Sequence, residues 1–476
     1  MAEVREQLGH ELAALLALVQ SIVAPCELPP GAVAYTAASE QFRNHIIELG
    51  KRTGQYLSTF PPEAEHIGED EEDYGSPAGE LAEIKSAWKQ LHPYIRPAIQ
   101  ADTLHQPTSL VDALTSRFCE IAGFEQATFT IFHVEEFNYL HLYASEIAAL
   151  TNKLAKLVGA TELPEFGLIG IPSSQSSALF LNCLIAHEMG HYVAAKKRFL
   201  AHILGEAEES LKLTMKENYP EGKESFQLPF KLAKWSEELF CDLFAVQLVG
   251  PCYAFAYIEL YDQLQLLKFD GTLHRERLKT GLDFYQGYPS HPFRVQRQAL
   301  MLRDSGWWPH VRKMKTRHAA LLEQLIDVSD DDHKDANADK RQLVEAFLAI
   351  VEEVVRFLGK VTGSLDDHVH EFGALNPTIL EYLENGIVPS TLNVRIIDDK
   401  VETGVRPSFV ALANSGVSFY LERIPALMGR IEGAKVDSTE DRVFWMRKVE
   451  GWVAKALEDV RLRKRVADAG TDGEAH

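Results

Sequence analysis

Ser177-Ala178-Leu179-Phe180-Leu181-Asn182-Cys183-Leu184-Ile185-Ala186-His187-Glu188-Met189-Gly190-His191 carries the strongest structural signal in this chain. The run is apolar up to Ala186 and contains no proline, which predicts a buried helix. The residues before it, Pro172-Ser173-Ser174-Gln175-Ser176, are of the kind that start helices. Earlier still, Phe166 to Ile171 reads as a short apolar strand closed by Pro172. On a helix, His187 and His191 sit four apart on one face, about a turn from each other. Two imidazoles so placed can grip one cation from one side, and Glu188 then lies beside the open position. Two buried histidines flanking a glutamate would be expensive to desolvate without a metal or polar partners.

A catalytic zinc site usually takes three protein ligands and keeps one position open. Lys234-Trp235-Ser236-Glu237-Glu238-Leu239-Phe240-Cys241-Asp242 offers the third. Glu238 and Asp242 share a helix face within an apolar run. With Glu238 on the metal, Asp242 can accept from the other ring nitrogen of a ligand histidine and fix its tautomer. Glu237 competes for the ligand role but has Cys241, not a carboxylate, four residues on; Cys241 itself is a further option. A third segment, Tyr288-Pro289-Ser290-His291-Pro292-Phe293-Arg294-Val295-Gln296-Arg297, predicts a helix capped by Ser290. His291 in its first turn can donate to an oxyanion, Tyr288 is a further candidate donor, and Arg297 can pair with a carboxylate near the site.

His187-Glu188-x-x-His191, then Glu238-x-x-x-Asp242, then Ser290-His291-Pro292 with Arg297 beyond, resembles the gluzincin metallopeptidases. It is most similar to the group of the CAAX prenyl endopeptidases and bacterial heat-shock membrane proteases. The order and spacing match over about residues 125 to 300. The resemblance implies zinc held by His187, His191 and Glu238, with Glu188 as general base. It implies Asp242 behind the ligands and His291 near the transition state. It also implies a zincin-like core with a small sheet. The chain departs from the group in lacking convincing membrane spans and in having Gly170-Ile171-Pro172 before the motif.

The rest of the chain frames this site. At 476 residues it predicts several domains, and its composition is ordinary for a globular protein. The expected class is α+β, mainly helical, in three regions: helical 1–115, a metallopeptidase domain at 116–310, and a mostly helical 311–476 with a disordered tail after Ala467. Helices are expected at Glu11–Val19, Ala38–Leu57, Glu80–Leu91, Phe230–Val249, Arg275–Tyr285, Lys340–Val361 and Glu440–Val466. Strands are expected at Gln126–Val134 and Thr391–Ile397, and Phe137–Tyr143 reads as a strand or a helix start. Leu343, Phe347, Leu348, Val351, Val354, Val355 and Leu358 form a core stripe at helical spacing.

A net charge of −21 argues against nucleic acid as a partner. The acidic runs Glu69–Asp73 and Asp330–Asp332 read as solvated loops, and Asp366–Glu371 as a polar loop or helix start rather than a second metal site. Five scattered cysteines without CxxC spacing do not read as a disulfide framework or a structural zinc finger. The N-terminus lacks the pattern of a secretory signal, and Leu243–Ile258, the most apolar stretch, is too broken for an integral membrane segment. The expectation is a cytoplasmic zinc metallopeptidase acting on protein or peptide substrates. The alternative is a non-proteolytic zinc-binding sensor or scaffold whose flanks carry the function. A third option, a membrane-surface protein, would use Leu243–Ile258.

Overall fold

The computed structural model describes residues 2–27, 37–59, 77–103, 108–124, 128–134, 140–142, 144–162, 166–172, 178–219, 221–264, 288–328, 338–362, 366–395, 401–428 and 439–472. The acidic runs at 69–73 and 330–332, the helix-start residues 173–176 and the helix expected at 275–285 lie outside them. The described chain is mainly helical, with two small sheets.

Its contacts form two compact units, one of 1–108 with 126–176, the other of 109–125 with 177–476. This differs from three consecutive regions, because the strands join the N-terminal helices and not the motif.

In the first unit, helices Ala2–Val23, Ala37–Ser58, Pro77–Thr103 and Ala144–Val158 pack together. Leu15, Val19 and Ile22 of the first meet Ile46, Leu49 and Trp88 in one apolar cluster. Spacings of three and four put Leu15, Val19 and Ile22 on one face of the first helix, and Ile46 and Leu49 on one face of the second. Trp88 satisfies its indole N–H on Thr53 Oγ1 at 3.3 Å, and Arg43 donates to the carbonyl of Cys26 at 3.3 Å. Strand β1 (Thr128–Val134) pairs parallel with β3 (Phe166–Pro172), and β2 (Leu140–Leu142) pairs antiparallel on the other side of β3. Among the described residues one helical window, Gly9–Cys26, is long and apolar enough to cross a membrane. Leu15, Val19, Ile22 and Cys26 within it are buried.

In the second unit, a 3-10 turn at Leu181–Leu184 leads into the motif helix, Ile185–Lys196. The chain reverses at Arg198, which takes a left-handed φ of 55°, and starts helix Phe199–Met215. The carboxylate helix follows at Lys223–Val249 and the tyrosine helix at Pro251–Gln263. The apolar stretch Leu243–Ile258 therefore belongs to two helices, broken at Gly250 with φ +81°. Asn414 binds across the break: its amide N–H groups donate to Val249 and Val410 carbonyls at 2.7 and 2.8 Å, and its Oδ1 accepts from Cys252 N–H at 2.7 Å. All of this stretch except Gln247 is buried.

The His-Pro helix spans His291–Asp304. Ser290 occupies its cap position without a capping side-chain bond. Helix Ala338–Val361 packs on the carboxylate helix, with Phe347 edge-on to Trp235 at 5.5 Å. Its stripe is buried at Phe347, Val351, Val354 and Leu358, but Val355 is exposed, and Val344 and Ile350 take inner places. Asp366–Glu371 opens a helix, Asp366–Glu384. β4 (Leu392–Arg395) and β5 (Val401–Val405) make an antiparallel ladder. The last helix, Thr439–Asp472, continues past Ala467, where disorder was expected.

Candidate metal centre

The motif and carboxylate helices meet along their faces, and their partners run in opposite order. His187 lies beside Asp242, Gly190 beside Cys241, and His191 beside Glu237. Gly190 makes this contact possible. A Cβ there would stand 2.8 Å from the Cα of Cys241.

Two carboxylates of the carboxylate helix hold the two rings by Nδ1. His187 Nδ1 lies 3.0 Å from Asp242 Oδ1, and His191 Nδ1 lies 3.3 Å from Glu237 Oε1. Both Nε2 atoms then face Glu238, at 3.5 Å from Oε2 for His187 and 3.7 Å from Oε1 for His191. Ligands at zinc bond lengths in a tetrahedron stand about 3.4 Å apart, close to each of these two nitrogen-to-carboxylate distances. His187, His191 and Cys241 also bring one ligand atom each within 4.8 Å of one another, and this buried group could hold a metal ion.

Behind the donors is a network that the sequence did not announce. Arg294 donates through Nε to Asp242 Oδ2 at 2.6 Å and through Nη2 to Oδ1 at 2.9 Å, a bidentate pair. Its Nη1 lies 3.3 Å from Glu238 Oε2. Tyr253 donates its hydroxyl to Asp242 Oδ1 at 2.6 Å. Arg297, the arginine expected to pair with a carboxylate, lays its guanidinium over Phe293 at 4.7 Å. The two arginines are three residues apart and on nearly one face. Arg294 sits on the turn opposite Asp242.

The charges follow from this geometry. Burial penalises the Asp242 carboxylate, but Arg294 and His187 hold it well below the usual carboxylate range. Burial likewise opposes ionisation of Glu238, yet His187 and Arg294 bring its pKa to about 2. Burial pulls the His187 imidazolium down, and the Asp242 and Glu238 carboxylates more than reverse this, to about 10. Glu188 is buried, and that burial pushes its pKa up against the pull of both histidines. Burial also raises the Cys241 thiol, as do the surrounding Glu237, Glu238, Glu188 and Asp242.

His291 joins the network at one remove. Its Nδ1 lies 2.9 Å from the Tyr257 hydroxyl, and its ring packs on Tyr261 at 4.0 Å between centroids. Burial and Arg294 lower its pKa to about 4, so it is neutral at neutral pH. Tyr288 is 61% exposed. The clue to Tyr253, Tyr257 and Tyr261 was their four-residue spacing in a stretch read only as apolar.

Comparison with known proteins gave no match: no family model, no curated protein and no solved structure is significantly similar to this chain.

Proposed function

We propose that this chain is a zinc-dependent peptidase of the gluzincin type, with His187, His191 and Glu238 as ligands and a peptide or protein chain as substrate. One observation carries the reading: separate carboxylates anchor both Nδ1 atoms and turn both Nε2 atoms toward Glu238, where a cation would displace any proton they carry. Glu238 is preferred to Cys241 as third ligand because its carboxylate is already ionised and aimed between the rings. The Cys241 thiol lies at the helix crossing beneath Gly190 and resists ionisation. Zinc bound there would polarise a scissile carbonyl and acidify a water molecule.

The chain's own groups supply the rest. Glu188 takes the water's proton and passes it to the leaving amine, and its raised pKa suits it to hold that proton in between. Asp242 and Glu237 keep the ligand rings in one tautomer, and Arg294 fixes Asp242. Neutral His291 presents an N–H to the oxyanion.

Metal analysis of the purified protein tests the centre. Wild type should carry about one zinc per chain, as three protein ligands imply, and His187→Ala should carry far less; zinc-free wild type would sink the idea. Glu188→Gln should keep its zinc and lose about 100-fold or more in turnover. Normal cleavage by that variant would remove Glu188 as the base.

A further inference from the structure

The tyrosine helix touches two histidines from one face. Tyr253, Tyr257 and Tyr261 are four residues apart and so line up along the helix. Tyr253 donates to Asp242 Oδ1, the oxygen that also accepts His187 Nδ1–H. Tyr257 meets His291 Nδ1 directly, at 2.9 Å, and Tyr261 packs on the same ring.

We propose that Tyr257 is a positioning residue that holds His291 as its Nε2–H tautomer, so that this N–H is the oxyanion donor. The donor role rests on the peptidase reading, whereas the tautomer does not. In the other tautomer His291 Nδ1–H would donate to the Tyr257 oxygen, and the buried phenol proton would need a second acceptor. Among the described residues the neighbours do not supply one. The group over the Tyr257 ring is the Arg294 guanidinium, 5.2 Å away, which only donates. The Asp242 carboxylate is engaged by Arg294, Tyr253 and His187. A buried hydroxyl left unmatched carries its full desolvation penalty, so the phenol donates and Nδ1 accepts. Burial of both phenols raises their pKa values and keeps them protonated.

The same helix face thus sets two histidines oppositely. His187 is anchored at Nδ1 on Asp242 and turns Nε2 toward Glu238. His291 accepts at Nδ1 and turns a proton outward. The first suits a cation and the second an oxyanion.

Nitrogen NMR of labelled histidine in the zinc-loaded protein tests this, with His291→Gln assigning the signal and unfolded β-casein as the polypeptide probe for turnover. Wild type should show His291 protonated at Nε2 and bare at Nδ1. Tyr257→Phe keeps the ring packing but should lose that single tautomer, with kcat down about 10- to 100-fold and zinc content and KM held. A wild-type His291 protonated at Nδ1, or an unchanged kcat in Tyr257→Phe, overturns the proposal. An Nε2–H spectrum from a wild type that cleaves nothing overturns the peptidase reading and the donor role with it, and supports the tautomer assignment.

Discussion

A methyl group at position 190 would stand 2.8 Å from the Cys241 Cα and 3.0 Å from its Cβ. Backbone cannot yield as a side-chain tip does, so Gly190→Ala must part the two helices that hold the ligands. The expected loss is about 1–3 kcal/mol, typical of overpacking a tight contact, together with weaker zinc retention. Thermal unfolding with and without a chelator checks both; an unchanged midpoint and full zinc would show that the helices can give. At this scale the sequence was most readable where helical spacing does the work. His187, His191, Glu238 and Asp242 could be placed on faces by counting. Arg294 could not, because Arg297 lies on nearly the same face one turn on, and only the depth of the His-Pro helix against Asp242 separates them. Glu237 was weighed as a competing ligand, and the fold gives it the Nδ1 of His191 instead.

Between elements, Glu450 links the last helix to the turn ahead of the motif helix. Its Oε1 accepts the Phe180 N–H at 2.9 Å, and its Oε2 is buried without a hydrogen-bond partner among the described residues. Burial pushes its pKa up to about 8, against the Phe180 bond and Arg447. The folded value then lies above the unfolded value of about 4.3. Between those two values the native state holds the extra proton, so stability is full below about 4.3, falls as pH rises to about 8, and is level beyond. Glu450→Gln keeps an acceptor for Phe180 and removes the titration. Its urea midpoint should match wild type near pH 4 and exceed it above pH 8, by a gap that grows through that window. Equal midpoints at both ends would show that water reaches the carboxylate.

Periodicity made helices such as Ala338–Val361 and strands such as β1 and β3 visible in advance, because one buried face repeats at a fixed interval. Which elements they would meet was not visible. Pairing is decided by surfaces far apart in sequence, and Glu450 and Phe180 are 270 residues apart.

Across the molecule, the division into two units puts all the candidate ligands in the one that contains 177–476. Zinc at a hundred times its Kd should stabilise that unit by about 2.7 kcal/mol. Hydrogen exchange should show the gain in peptides from the motif, carboxylate and His-Pro helices, and little in those covering Leu15, Ile46 or Trp88. Equal protection of both sets would show that they unfold together. The three-region reading followed chain order, whereas β1 packs on helices upstream of it, Pro77–Thr103 and Ala37–Ser58, and β3 pairs with β1.

The opposed run of the motif and carboxylate helices has one more consequence. Their register is set where the faces touch, at Gly190 and Cys241, and helix Phe199–Met215 between them packs on the carboxylate helix as well. The exposed stretch after it, Lys216–Asn218, carries none of the groups that define the centre. Severed there, the protein would become two pieces that must find each other by shape, and a captured zinc ion would report that they had.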